Sequence, residues 1–189
     1  MAGELVVLAG NELGALNTRR TLCAILLNPA LRPLESTTTF RNVRSALPVV
    51  SCNELVVANL LNIPTKDALA LNRTKIDDQE LREARALISP KLQQADVVIL
   101  AWGVGGMSGQ ARLALQRQTA WLRDMLNRTN HDQVWTVTGR PRHPSRWRQY
   151  VGPEKRRVSG SCFEERLSMV MTPTRIDSEA GRLLFERAF

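Results

Sequence analysis

The sequence predicts an α/β fold: a three-layer α/β/α sandwich around a central, mainly parallel sheet of four strands. Two patterns carry this expectation. Short, nearly unbroken apolar runs recur along the chain, and stretches with helical apolar spacing separate them. Strands buried on both faces, alternating with helices that cover them, make a parallel sheet. A third observation is size: 189 residues, 43% of them apolar, suffice for one domain with a sizeable core. Residues 1–189 are therefore read as a single domain, with a motif-bearing core over about 22–150 and a C-terminal extension, 151–189, packed on it.

Thr21–Leu27 (TLCAILL) reads as the first strand, closed by an Asn-Pro turn. Glu54–Leu61 (ELVVANLL) and Ala95–Trp102 (ADVVILAW) repeat the pattern, and Val134–Thr138 is a fourth, weaker strand. Asp77–Leu92 places Leu81, Ala84, Leu87 and Ile88 on one helical face, with Asp77 or Asp78 as its cap. Ser108–Asn127 does the same with Ala111, Leu115, Thr119, Leu122 and Leu126, and Ser108 is its candidate cap. Past Gly152, the apolar run Leu167–Met171 predicts an edge strand, and the pattern from Ser178 a packing helix.

Several function classes are disfavoured. The turn Gly103–Gly109 joins a strand to a helix, but it lacks the GK[ST] of a P-loop and puts Ser108 where GxGxxG needs its last glycine. It reads as a tight connection. No serine sits on a GxSxG elbow. Cys23, Cys52 and Cys162 are odd in number and far apart, which argues against a disulfide framework, a zinc site or a four-cysteine cluster. Cys23 fits a small apolar residue within a strand. Neither metal nor organic cofactor is expected. No run approaches the roughly 18 apolar residues of a membrane span, and the N-terminus lacks a secretory pattern, so the expectation is a cytoplasmic chain with no membrane partner.

The net charge of +8 is concentrated. Arg140, Arg142, Arg146, Arg148, Lys155, Arg156 and Arg157 stand against Glu154 alone. Such a patch attracts phosphate backbones, with counterion release as a driving force. Trp147 and Tyr150 interleave with the arginines and offer faces for stacking or wedging. DNA is the expected partner, and no obligate protein partner is implied.

Ligand crevices of parallel sheets lie beyond the carboxyl ends of the strands. Asn28, Asn59, the Gly103–Gly109 turn and His143 all fall at or just past those expected ends. LLNPA (Leu26–Ala30), VVANLL (Val56–Leu61), VVILAWG (Val97–Gly103) and PRHPSRW (Pro141–Trp147) together resemble the ordered motifs of the uracil-DNA glycosylase superfamily. They resemble more closely a little-characterised bacterial family, described as a domain of unknown function, whose members carry LNP, VNL, AWG and PRHP in this order.

The resemblance implies roles. Asn28 takes the position that orients the attacking water; an amide oxygen can hold that water but cannot take its proton. Asparagine there resembles the mismatch-specific branch rather than the uracil-specific one, which has aspartate. His143 would stabilise negative charge on the departing base. Asn59 would read the base edge, and Phe40, twelve residues after Asn28, is a candidate stacking platform or a plain core residue. Ala30 stands where the uracil-specific branch has a tyrosine against the pyrimidine C5 face, so a 5-substituted base should fit. Trp147 takes the place of the side chain that fills the gap left by a flipped nucleotide, with Ser145, Arg146 and Arg148 gripping phosphates beside Arg140 and Arg142.

The expectation is thus a monofunctional DNA glycosylase acting on a C5-modified pyrimidine, including the hypermodified bases of phage genomes. No lysine lies in the motifs, so strand scission by an amine is not expected. Two alternatives stay open: a DNA-binding module of the same fold without chemistry, and an α/β enzyme acting on free nucleotides or nucleosides.

Overall fold

The computed structural model describes residues 19–65, 68–103, 105–152 and 158–186. Four parallel strands, β1 (Thr21–Leu26), β2 (Glu54–Asn59), β3 (Val97–Leu100) and β4 (Gln133–Val137), lie in the order β2-β1-β3-β4. A fifth strand, β5 (Met171–Arg175), pairs antiparallel with β4 at the edge. Helices α1 (Thr38–Arg44), α2 (Asp78–Gln94), α3 (Gly109–Arg128), α4 (Arg148–Val151), α5 (Phe163–Val170) and α6 (Glu179–Glu186) cover the sheet.

All six residues of β1 are buried, because the strand is central and covered on both faces. Cys23 and Ile25 face a core built with Leu81, Ile88 and Leu92 of α2, Leu115 and Leu122 of α3, and Phe185 of α6. Leu22, Ala24 and Leu26 face a second core with Val43 of α1, Val151 of α4 and Leu167 of α5. The period-2 alternation of one strand thus divides the helices into two layers. The three-layer architecture is as expected from the sequence.

Asp77 caps α2, its Oδ1 accepting the Gln79 and Glu80 N–H groups at 3.0 and 3.2 Å. Ser108 stands at the cap position of α3 but makes no side-chain cap bond; its own N–H goes to Asn72 Oδ1 at 2.9 Å. The expected apolar face of α3 is buried throughout. On α2 one residue departs: Leu87 is 50% exposed. The buried stripe runs through Leu81, Ala84, Ile88 and Leu92, and at about 100° per residue Leu87 falls on its flank.

The C-terminal expectation needs a larger correction. Leu167–Met171 is not an edge strand, since Phe163–Val170 is helical and the strand begins only at Met171. Glu164 and Glu165 in the first turn favour a helix start, and the Cys162 Sγ accepts the Glu165 N–H. Pro173 in β5 lacks an amide donor, which suits an edge position.

The chain leaves β1 for β2 on one side and then crosses to β3 on the other. That reversal leaves a crevice over the carboxyl ends of β1 and β3, where parallel sheets place ligands.

Candidate functional site

A cleft of about 690 Å3 opens at that reversal. Its walls come from Leu26–Ala30 at and just past the end of β1, the glycine-rich turn after β3, and Arg142, His143, Ser145 and Arg146 after β4. The Gly103 N–H donates to the Pro141 carbonyl at 2.7 Å, stitching two of these segments together. Gly103 has φ +90°, and a Cβ there would lie 3.3 Å from the His143 Cβ. Glycine is what lets the turn press against the histidine.

Asn28 lines the cleft with a fixed orientation. Its Nδ2 donates to the Pro29 carbonyl (3.2 Å), the Ile63 carbonyl (3.3 Å) and Thr65 Oγ1 (2.9 Å). Carbonyl oxygens only accept, so two of these partners require the amide nitrogen and exclude a flipped amide. Oδ1 is left as the acceptor. An aspartate in this position would set a carboxylate against two carbonyl oxygens.

His143 is fixed just as firmly. Its Nδ1 accepts the Ser145 N–H at 3.3 Å and lies 2.8 Å from Ser145 Oγ. A ring nitrogen that accepts from a backbone amide carries no proton, so the neutral ring holds its proton on Nε2. Burial, aided by the Arg146 charge, pushes the imidazole below the usual histidine range. The ring is therefore a neutral Nε2–H donor at pH 7. Asn42, buried on α1, anchors this turn by donating to the Pro144 carbonyl at 2.7 Å.

Other expected site residues divide. Ala30 and Ser145 line the cleft, as do Arg142 and Arg146. Asn59 ends β2 in register with Leu26 but is not part of the cleft wall, and its Oδ1 is buried without a partner among the described residues. Phe40 is likewise not part of the wall, which α1 reaches with Thr39 instead. Phe40 is only partly buried, at the third position of the capped first turn of α1. Neither residue touches the cleft from where it stands.

Trp147 is a clear correction. Its side chain is fully buried in the second core, and its indole N–H donates to the Arg142 carbonyl at 2.8 Å. A ring packed under the sheet is not available as a wedge. What the sequence pattern showed as an aromatic among arginines is an anchor for the arginine-bearing turn.

Of the basic patch, Arg140, Arg146 and Arg148 are exposed and Arg142 is half-buried. The Arg142 guanidinium stacks on Tyr150 at 4.7 Å, and Arg148 on Phe163 at 5.5 Å. Lys155, Arg156 and Arg157 lie outside the described residues. No aspartate or glutamate lines the cleft among the described residues, so its field is positive and no carboxylate base stands there. Nor do three His, Cys, Asp or Glu side chains cluster as metal ligands among those residues. No helix among them is long and apolar enough to cross a membrane.

The sequence reading missed Thr65, Trp102 and Asn42. Thr65 sits in the loop after β2, with no local pattern to mark it, and becomes visible only when the loop folds back on Asn28. Asn42 meets Pro144 across 102 residues of chain. Trp102 was within the AWG motif and carried no polar role until its burial was seen.

The sequence profile of a family described as "Protein of unknown function (DUF1643)" matches residues 14–145, well over half of the chain. The chain belongs to the DUF1643 family. No curated protein and no solved structure matches it. The DUF1643 span holds Asn28, Thr65, Trp102, Arg142, His143 and Ser145, so most of the cleft belongs to the family region; Arg146 and Tyr150 fall just past it.

Proposed function

We propose that this DUF1643 protein is a monofunctional DNA glycosylase that takes an extruded pyrimidine into the cleft and hydrolyses its bond to the sugar. One observation carries the reading. A locked acceptor, Asn28 Oδ1, and a locked neutral donor, His143 Nε2–H, serve one positively charged cleft. Glycosidic cleavage requires that pair: an acceptor to hold water near the anomeric carbon, and a donor for charge arriving on the base. The C1′–N1 bond breaks with its electron pair leaving on the base, water adds to the sugar cation, and the proton that the water sheds ends on the departing base anion. Asn28 takes no proton, so positioning and leaving-group stabilisation supply the rate.

Ala30 lines the cleft, and its resemblance to the position that faces the pyrimidine C5 atom supports a C5-modified base as substrate. Hypermodified phage cytosines and uracils belong to that class, and a cytoplasmic enzyme removing them would act in defence. The resemblance to the uracil-DNA glycosylase superfamily through LLNPA, VVANLL, VVILAWG and PRHPSRW supports the same chemistry.

The test is mass spectrometry of bases released from phage and unmodified DNA, with counting of abasic sites. Modified pyrimidines should appear, and Asn28→Ala or His143→Ala should slow their release about 100- to 1000-fold. Release of ordinary uracil alone would remove the modified-base reading. DNA binding unchanged in both variants, with no base released by any form, would leave a binding module. The burial of Trp147 favours a second reading, a nucleotide- or nucleoside-processing enzyme, because that position supplies no wedge for opening a duplex. Weak salt dependence of duplex binding would support this rival.

A further inference from the structure

Five buried side-chain polar atoms lack a hydrogen-bond partner among the described residues. Asn59 Oδ1, Arg123 Nε and Thr136 Oγ1 belong to residues outside the cleft wall. The other two, Trp102 Nε1 and Arg142 Nε, both belong to residues that line the cleft. Both are donors. Trp102 is 1% exposed, and an indole N–H sealed from water without an acceptor is costly to the folded state. Packing alone would be served as well by phenylalanine, which fills much of the same space and carries no orphan donor.

The backbone ties together the two segments that carry these residues. Trp102 precedes Gly103, whose N–H is bonded to Pro141, the residue before Arg142. The Arg142 backbone is held in turn by Trp147 on its carbonyl, and its guanidinium by the Tyr150 ring at 4.7 Å. Its charge is therefore pre-positioned, and no acidic side chain of the described cleft wall neutralises it.

We propose that Trp102 and Arg142 form an oxyanion-reading subsite, in which the indole N–H and the guanidinium Nε–H receive an anionic oxygen of the ligand held in the cleft. This rests on the reading that the cleft takes a nucleotide, and it adds the polarity of what is bound. With the His143 Nε2–H donor and the Arg146 cation on the same wall, and no carboxylate opposing them among the described lining residues, the cleft favours an anionic ligand. A phosphate oxygen and an exocyclic carbonyl oxygen of a departing base share that chemistry.

The experiment follows the 15N-labelled indole N–H resonances of the full chain during titration with inorganic phosphate, 2′-deoxycytidine or 2′-deoxycytidine 5′-monophosphate. The Trp102 signal should move, while that of Trp147, already bonded to a carbonyl, should stay. Movement with phosphate and the monophosphate but not the nucleoside assigns the subsite to phosphate; movement with the nucleoside assigns it to the base oxygen. Trp102→Phe should weaken binding of the active probe about tenfold while leaving thermal stability of the free protein unchanged or raised. A merely structural tryptophan predicts the reverse, lost stability with binding intact, and that result or an unmoved signal with all three probes overturns the proposal. If Trp102→Phe does not fold, the wild-type resonances alone decide. The readout is binding, so this subsite survives if no base is ever released, and base release by wild type and Trp102→Phe at equal rates defeats it while sparing the glycosylase reading.

Discussion

Asn28 shows how neighbours choose a residue type. With Nδ2 held by two backbone carbonyls, the site selects an amide and rejects a carboxylate. Asn28→Asp should destabilise the fold by about 1–3 kcal/mol at pH 8, and less at pH 5. The sign follows from the new carboxyl having a pKa raised by the facing carbonyls: its stability deficit grows as pH rises and ionisation is forced. Thermal unfolding at the two pH values measures this, and an equal loss at both would contradict it. His143 offers a second titration. Its depressed pKa means that the unfolded chain binds the proton more readily, so the group costs stability as pH falls below the usual histidine value. Arg146→Ala should move the His143 NMR titration to higher pH, because one of its two lowering causes is gone. The only other histidine, His131, lies buried against the Leu92 carbonyl and gives a separate signal. The cysteines behave as their burial dictates. Burial pushes the Cys23 thiol up to about 12 and raises Cys52 as well, whereas Cys162 is exposed. Alkylation at pH 8 should label only Cys162 in the native protein and all three thiols after denaturation.

At the level of elements, the turn after β4 is held from beneath. Trp147 fills the core between the sheet and helices α1, α4 and α5, and Asn42 of α1 fastens the Pro144 carbonyl. Trp147→Ala should therefore cost about 3–5 kcal/mol of stability, measured by urea unfolding; a DNA wedge would instead lose base release at unchanged stability. The glycine-rich turn has its own clamp. Asn72 donates to the Gly106 carbonyl and accepts the Ser108 N–H, both at 2.9 Å. Its two-sided bond fixes the turn that leads into α3, whose Ser108 makes no side-chain cap bond.

Across the whole molecule, one end of the sheet gathers the cleft, the locked amide and imidazole, and the positive charge. The proposed DNA binding at this end should fall steeply with salt, and neutralising Arg140, Arg146 and Arg148 together should flatten the slope of log K against log salt by about three. An unchanged slope would place the DNA contact elsewhere. The strand runs, the two long helices and the positions of Asn28 and His143 at strand ends were legible in the sequence, because burial on both faces writes a continuous apolar run and helix packing writes a period of 3.6. The strand at Met171–Arg175 was not, since an edge strand carries a weak pattern and the apolar run before it served a helix. Motif order along the chain pointed to Asn28 and His143 at one end of the sheet near a basic stretch, and both line the cleft. Only tertiary structure decided that Trp147 points into the core, that Asn59 and Phe40 stand off the cleft, and that Thr65, Ile63 and Ser145 fix which atoms of Asn28 and His143 remain free. Those outcomes depend on contacts between residues distant along the chain, and local periodicity holds no record of which side chain a folded loop will meet.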